Sequence, residues 1–237
     1  MIVCHQHRYI FIKTRKTAGT SVEIGLSKFC GPTDIITMHD AEDEAIRRSL
    51  GYPGPQNEYS IGFRHYRPAD WRRFLLRRQR ARFKNHMTAE RIRSLVGKDV
   101  WDRYYKFCVE RDPWDKALSL YFWRTSEQDE PRPELLDFLK STKRNSLSNF
   151  RIYSIAGRVA VDRVLRYESL ERDLDEVRSH LGIPEPVVLP RAKGKTRPRD
   201  AGPTKLIGPS EKSVIDRVCA REIALFGYSF SGATGSA

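Results

Sequence analysis

The chain has 237 residues and a formal net charge of +13, which is long enough to bury a core without staples, and its sequence pI of about 9.8 points to anionic ligands or partners. Cys4, Cys30, Cys108 and Cys219 are scattered with no C-x-x-C pair, which argues against a disulfide framework or a zinc finger and for small buried thiols. No apolar run reaches the length of a membrane span, and no cationic leader with an apolar core opens the chain, so the reading is a soluble, cytoplasmic protein.

Tyr9 to Ile12 is a short apolar, β-favouring run, read as a buried parallel strand. Arg15 to Gly19 is a small, polar, cationic turn, and Thr20 and Ser21 open a helix with apolar positions from Val22 to Phe29. A helix N-terminus exposes unpaired N–H groups and the positive end of its dipole, which suits an anion, most often a phosphate. The stretch is not the nucleotide-triphosphate loop G-x-x-x-x-G-K-[ST], because Lys16 precedes the single Gly19. No metal is placed there. The bland alternative is a strand, a turn and a helix with two surface cations.

Gly31 to Asp34 breaks the pattern, Ile35 to Thr37 is a brief strand, and an acidic helix runs from Ala41 to Leu50. Tyr59 to Phe63 reads as a short strand. Residues 64–84 are strongly basic, with Trp71, Phe74, Leu75, Leu76 and Phe83 interleaved. That pattern fits a nucleic-acid surface, a wall for a polyanionic glycan, or an amphipathic helix with a solvated charged face. Thr88 caps a helix that ends at Gly97, and His86 sits in the loop before it. A histidine titrates near neutrality, so in a cleft it is the natural general base.

Tyr105 to Glu110 is the second strong strand. Arg111-Asp112-Pro113 follows, with Pro opening a helix to Arg124 that carries Ser119. Arg111 thus stands at a strand end, where open α/β sheets bind ligands, and its planar fork matches phosphate oxygens in pairs. Further helices are expected over Glu134 to Lys140 and Asn145 to Ser154, a third strand over Val161 to Tyr167, and a helix from Ser169 to Leu181. Pro184 to Pro209 is a Pro-, Gly- and cation-rich loop, and Ser210 caps a final helix through Phe226. The expected organisation is one domain over residues 1–230 with a flexible tail at 231–237.

Three segments, RKTAGTS at Arg15 to Ser21, FCVERDPWDKALSLYFW at Phe107 to Trp123, and RVLRYESLERDL at Arg163 to Leu174, together resemble the sulfotransferases that use 3′-phosphoadenosine 5′-phosphosulfate, nearest to the carbohydrate and bacterial branch. The resemblance implies an α/β fold with a central, mostly parallel sheet flanked by helices, akin to P-loop nucleotide-binding folds. It implies that Arg15, Lys16, Thr17, Ala18, Gly19, Thr20 and Ser21 cradle the donor's 5′-phosphosulfate. By the same carry-over Arg111 and Ser119 bind its 3′-phosphate, and Lys193, Gly194 and Arg197, in a loop over 190–209, cover the adenine. The family wording before Asp-Pro is closer to V-R-[DN]-P, so Glu110 is a departure, read as an insertion or a register shift.

The implied chemistry is in-line transfer to an acceptor hydroxyl, on a glycan or glycolipid, leaving adenosine 3′,5′-bisphosphate. Lys16 steadies the departing oxygen and His86 takes the hydroxyl proton, with Asp40 and His39 as reserve bases. A sulfuryl group carries less negative charge than a phosphoryl group, so a cationic loop serves without a metal. The alternatives are a P-loop-type kinase, which needs a magnesium-linked hydroxyl, and a basic nucleic-acid-binding protein resting on residues 64–84. The latter gives no reason for two strand-end anion motifs.

Overall fold

The apolar run at Tyr9 lies in the middle of the main sheet. In the computed structural model, which describes residues 1–126, 131–190 and 202–230, the chain opens with a hairpin of β1 (Ile2–Cys4) and β2 (Tyr9–Phe11). Then come α1 (Gly19–Ser27), β3 (Ile35–Ile36), α2 (Ala41–Ser49), α3 (Pro68–Arg77), α4 (Ala89–Val96) and α5 (Lys98–Arg103). The second half holds β4 (Tyr105–Glu110), α6 (Pro113–Thr125), α7 (Leu135–Ser141), α8 (Arg144–Leu147) and α9 (Phe150–Tyr153). It continues with a small hairpin of β5 (Ser154–Ile155) and β6 (Arg158–Val159), then β7 (Arg163–Arg166) and α10 (Leu170–His180). Three helices close the described chain: α11 (Pro203–Leu206), α12 (Pro209–Val218) and α13 (Ala220–Phe226).

The main sheet has the order β3-β1-β2-β4-β7. It is mixed, which corrects the expected mostly parallel sheet of a P-loop-like sulfotransferase fold. β2 pairs with β4, and β4 with β7, in parallel; β1 pairs antiparallel with both β2 and β3. The reason is chain length. Only residues 5–8 separate β1 from β2, with Arg8 in the left-handed region at φ 53°, and so short a link permits only an antiparallel hairpin. The three residues of β1 are too few to show a periodicity, and the polar run behind them hid the strand.

Side chains alternate across this sheet. Val3, Ile10 and Cys108 join one core with Phe83, Ile92, Leu95 and Trp101. Tyr9, Phe11, Phe107, Val109 and Leu165 join another with Val22 and Leu26 of α1 and Leu170, Leu174 and Val177 of α10. Both faces are covered, so the strands read as unbroken apolar runs. A third core packs α6 against α7 and α12 through Trp114, Leu118, Phe138 and Ile215. No described helix is long and apolar enough to cross a membrane.

Several expected boundaries shift. Tyr59 to Phe63 forms no strand, and the basic segment 64–84 is α-helical only over α3, ended by Arg78 at φ 52°, behind a single 3-10 turn at Phe63–His65. The single helix expected over Asn145 to Ser154 is two, parted at Ser148 and Asn149. There the Ser148 hydroxyl and the N–H groups of Asn149 and Phe150 all donate to Oε1 of Glu222. The last helix starts at Pro209 behind Gly208 rather than at Ser210, and it breaks at Cys219. Thr88 caps α4 as expected, its hydroxyl accepting from Arg91 N at 3.3 Å.

Phe107 is fully buried and touches the rings of Tyr9, Phe11 and Tyr105. Phe107→Ala is expected to cost about 3–5 kcal/mol in denaturant unfolding; a loss under about 1 kcal/mol would contradict this packing.

Candidate functional site

The loop between β2 and α1 is built to present backbone N–H groups. Lys16 and Ala18 both sit in the left-handed region, at φ 60° and 57°, with Thr17 between them outside it. Two non-glycine residues held this way carry strain that the surroundings must impose, and alternating backbone of this kind forms an anion-binding concavity. Ala18 is the N-cap residue of α1 and supplies no side-chain cap. The first helical bond runs from Val22 N to Ala18 O at 3.1 Å. The N–H groups of Gly19, Thr20 and Ser21 therefore precede the helical ladder. Gly19 is required by crowding, since a Cβ there would lie 2.9 Å from Cγ of Lys13.

The loop is anchored from below. Thr17 and Thr14 share a hydrogen bond of 2.8 Å, and Thr14 donates to the carbonyl of Val109 on β4. Asn149, fully buried, grips Arg15 from both sides: its amide accepts from Arg15 N and donates to Arg15 O, each at 3.0 Å. The Asn149 amide also donates to Glu110 at 3.3 Å. Glu110 ends β4 and pairs in parallel register with Arg166. It is buried and bound to Lys116 at 2.7 Å. Burial alone would push the Lys116 ammonium down, but Glu110 and the other anions around it hold it above its usual range.

The end of β4 meets this loop directly. Arg111 donates from Nη1 to the carbonyl of Lys16 at 3.2 Å. Its Nε donates to Asp115 at 2.6 Å, and its guanidinium lies 4.0 Å from the ring centroid of Tyr167. The result is one cleft of about 570 Å³ lined by residues 13–21, Met38 to Asp40, Asn85, His86, Arg111, Ser119, Leu120, Trp123, Arg124 and Tyr167. Its walls carry five cations, Lys13, Arg15, Lys16, Arg111 and Arg124, against the single carboxylate of Asp40. The Lys16 ammonium lies 4.9 Å over the Trp123 ring. Burial first, and then Arg124, lower the pKa of Arg15.

Three candidate bases line the same cleft and differ in what already holds them. His86 sits at φ 59°, its Nδ1 3.1 Å from the carbonyl of Lys13. A carbonyl only accepts, so Nδ1 carries the proton and Nε2 keeps a lone pair. Burial first, and then the charges of Arg15 and Lys13, push its pKa down to about 3. His39 is spent at both nitrogens: Nδ1 lies 2.9 Å from the Lys13 ammonium and Nε2 3.3 Å from Glu23. Burial again leads in lowering it. Asp40 caps α2, accepting from Asp43 N at 3.0 Å. Beneath them Glu23 is fully buried. Burial would raise its pKa, but the Met1 amino group, Lys13 and His39 hold it well below the usual carboxylate range.

The structure thus brings together Arg15 to Ser21, Arg111, Ser119, His86, His39 and Asp40, while Lys193, Gly194 and Arg197 lie outside the described residues. It adds residues that the sequence reading missed. Lys13 and Asn149 are buried polar groups with no local signature, and Trp123, Arg124 and Tyr167 were read only as parts of a helix and a strand. Cys4, Cys30 and Asp34 place ligand atoms within 4.8 Å of one another but share no residue with the cleft lining. The Asp34 carboxylate there holds a turn through the N–H groups of His5 and Gly31.

Fold and site define a mixed α/β protein with a cationic cleft where two strand ends meet. No protein-family model matches the chain, and no solved structure does. It is 36% identical over 102 residues to an uncharacterized protein of Archaeoglobus fulgidus, a match that covers 42% of this chain and 85% of that protein. The chain belongs to the same family as that archaeal protein.

Two outcomes test this geometry. The folded state keeps His86 neutral, while the unfolded chain protonates it near 6.5, so its contribution is intact above pH 6.5 and is lost as pH falls toward 3. His86→Gln should therefore lose thermal stability less steeply than the parent across that window; parallel curves would place His86 in solvent. Asn149→Ala should cost about 1–3 kcal/mol, because it strips both partners from the Arg15 backbone, and should raise amide exchange in residues 15–18. Unchanged exchange there would remove Asn149 as the loop's anchor.

Proposed function

We propose that this chain is a sulfotransferase that takes a sulfuryl group from 3′-phosphoadenosine 5′-phosphosulfate to a hydroxyl, on a carbohydrate acceptor. The observation that carries the reading is the convergence of two anion motifs, far apart in sequence, on one cleft, joined by the hydrogen bond from Arg111 to the carbonyl of Lys16. Its five cations against one carboxylate suit a multiply charged anion. Its volume, about 570 Å³, falls within the range of small-ligand sites.

The donor, when bound, supplies an activated sulfuryl group. The loop from Arg15 to Ser21 holds the 5′ end, through its N–H groups and the Lys16 ammonium. These are placed to steady negative charge as it builds on the departing oxygen. Arg111 and Ser119, on the neighbouring wall, hold the 3′-phosphate. His86 keeps its Nε2 lone pair for the acceptor's hydroxyl proton, and the Lys13 carbonyl fixes the tautomer through Nδ1. Its low proton affinity reflects Arg15 and Lys13 beside it as well as burial. An anion that offsets those two charges raises that affinity toward the range of a working base. His39 and Asp40 serve instead as struts, one between Lys13 and Glu23, the other at the start of α2.

Lys16→Ala should lower turnover about 10²–10³-fold while the calorimetric affinity for adenosine 3′,5′-bisphosphate changes far less; near-normal turnover would remove Lys16 from the mechanism. Arg111→Ala should weaken the bisphosphate at least about tenfold more than adenosine 5′-phosphate. Equal losses would overturn the 3′-phosphate assignment, and tighter binding of ATP with magnesium than of the bisphosphate would favour a kinase.

A further inference from the structure

Among the described residues, the most exposed large apolar side chains lie on α3, on the side turned away from the core. At about 100° per residue, Trp71, Leu75, Pro68, Leu76 and Ala69 fall on one arc of roughly 160°, interrupted only by Arg72. All of them face solvent, Leu75 and Leu76 at 72% and 75% exposure. The helix is held by its other side: Phe74 packs on the main core and on Phe63, and Asp70 binds Arg91. Trp71 stacks on Phe63 at 5.5 Å. The two leucines are used for none of this.

The surroundings are cationic. Residues 64–84 hold nine Arg and Lys against one acidic residue, Asp70. Of those nine, Arg73 and Arg82 alone lie within ion-pair distance of a carboxylate among the described residues. Arg73, Arg78, Arg80, Arg82 and Lys84 line a groove beside the helix. An apolar arc set among unneutralised arginines is the arrangement by which a short helix lies in the surface of an anionic bilayer, its leucines among the acyl chains and its cations at the headgroups. A soluble polyanion would use the arginines and gain nothing from Leu75 and Leu76. We infer that α3 and the arginines around it dock this protein on an anionic phospholipid membrane. The inference stands apart from the sulfotransferase reading, since it concerns a surface that shares no residue with the cleft lining.

The test is co-sedimentation of the full chain with vesicles of phosphatidylcholine alone or mixed with phosphatidylglycerol, at physiological salt. The expected result is binding to the mixed vesicles, at least about tenfold weaker on neutral ones. Leu75→Ser with Leu76→Ser should weaken it about tenfold or more, with circular dichroism and Tm unchanged because both side chains are exposed. Three results would overturn the proposal: no sedimentation with mixed vesicles, binding indifferent to the leucine changes, or a solution dimer that the leucine variant dissociates without any vesicle binding.

Discussion

One hydrogen bond, from the Arg111 guanidinium to the carbonyl of Lys16, joins the two halves of the cleft. It ties the loop after β2 to the turn after β4, two strands that run side by side in parallel. Parallel pairing is what brings both carboxyl ends to the same edge of the sheet. The antiparallel β1 does not disturb this, because it lies on the far side of β2. The mixed sheet therefore keeps the one local relation that the site needs.

Gathering cations costs stability, and the scaffold offsets that cost with buried acids. Glu110 anchors Lys116 and, through Asn149, the Arg15 backbone. Glu23 gathers Lys13, His39 and the Met1 amino group. Neither carboxylate lines the cleft; both brace the loop from beneath, Glu23 by pairing with Lys13 of the lining. The left-handed Lys16 and Ala18 are held against their preference by the same framework. Such buried polar networks give little net stability, but breaking one partner is expensive, which suits a loop that must keep one shape.

The strands at Tyr9 and Tyr105 were legible because both faces of the sheet are buried, so their apolar runs are unbroken. The turns after them were legible because Gly19 and Pro113 have few other uses at strand–helix junctions. What escaped was set by contacts distant in sequence. β1 is three residues long, and its direction follows from a four-residue link rather than from any pattern. The break at Asn149 comes from Glu222, more than seventy residues away. His39 and His86 look alike in the sequence, both in loops, and only the contacts of their ring nitrogens tell strut from candidate base.

The most direct test of the central claim is a crystal structure of the protein soaked with adenosine 3′,5′-bisphosphate. The account predicts the 5′-phosphate against the N–H groups of residues 17–20 beside Lys16, with the 3′-phosphate at Arg111 and Ser119. Nucleotide bound outside this cleft, or seated in it with neither phosphate at these groups, would contradict it.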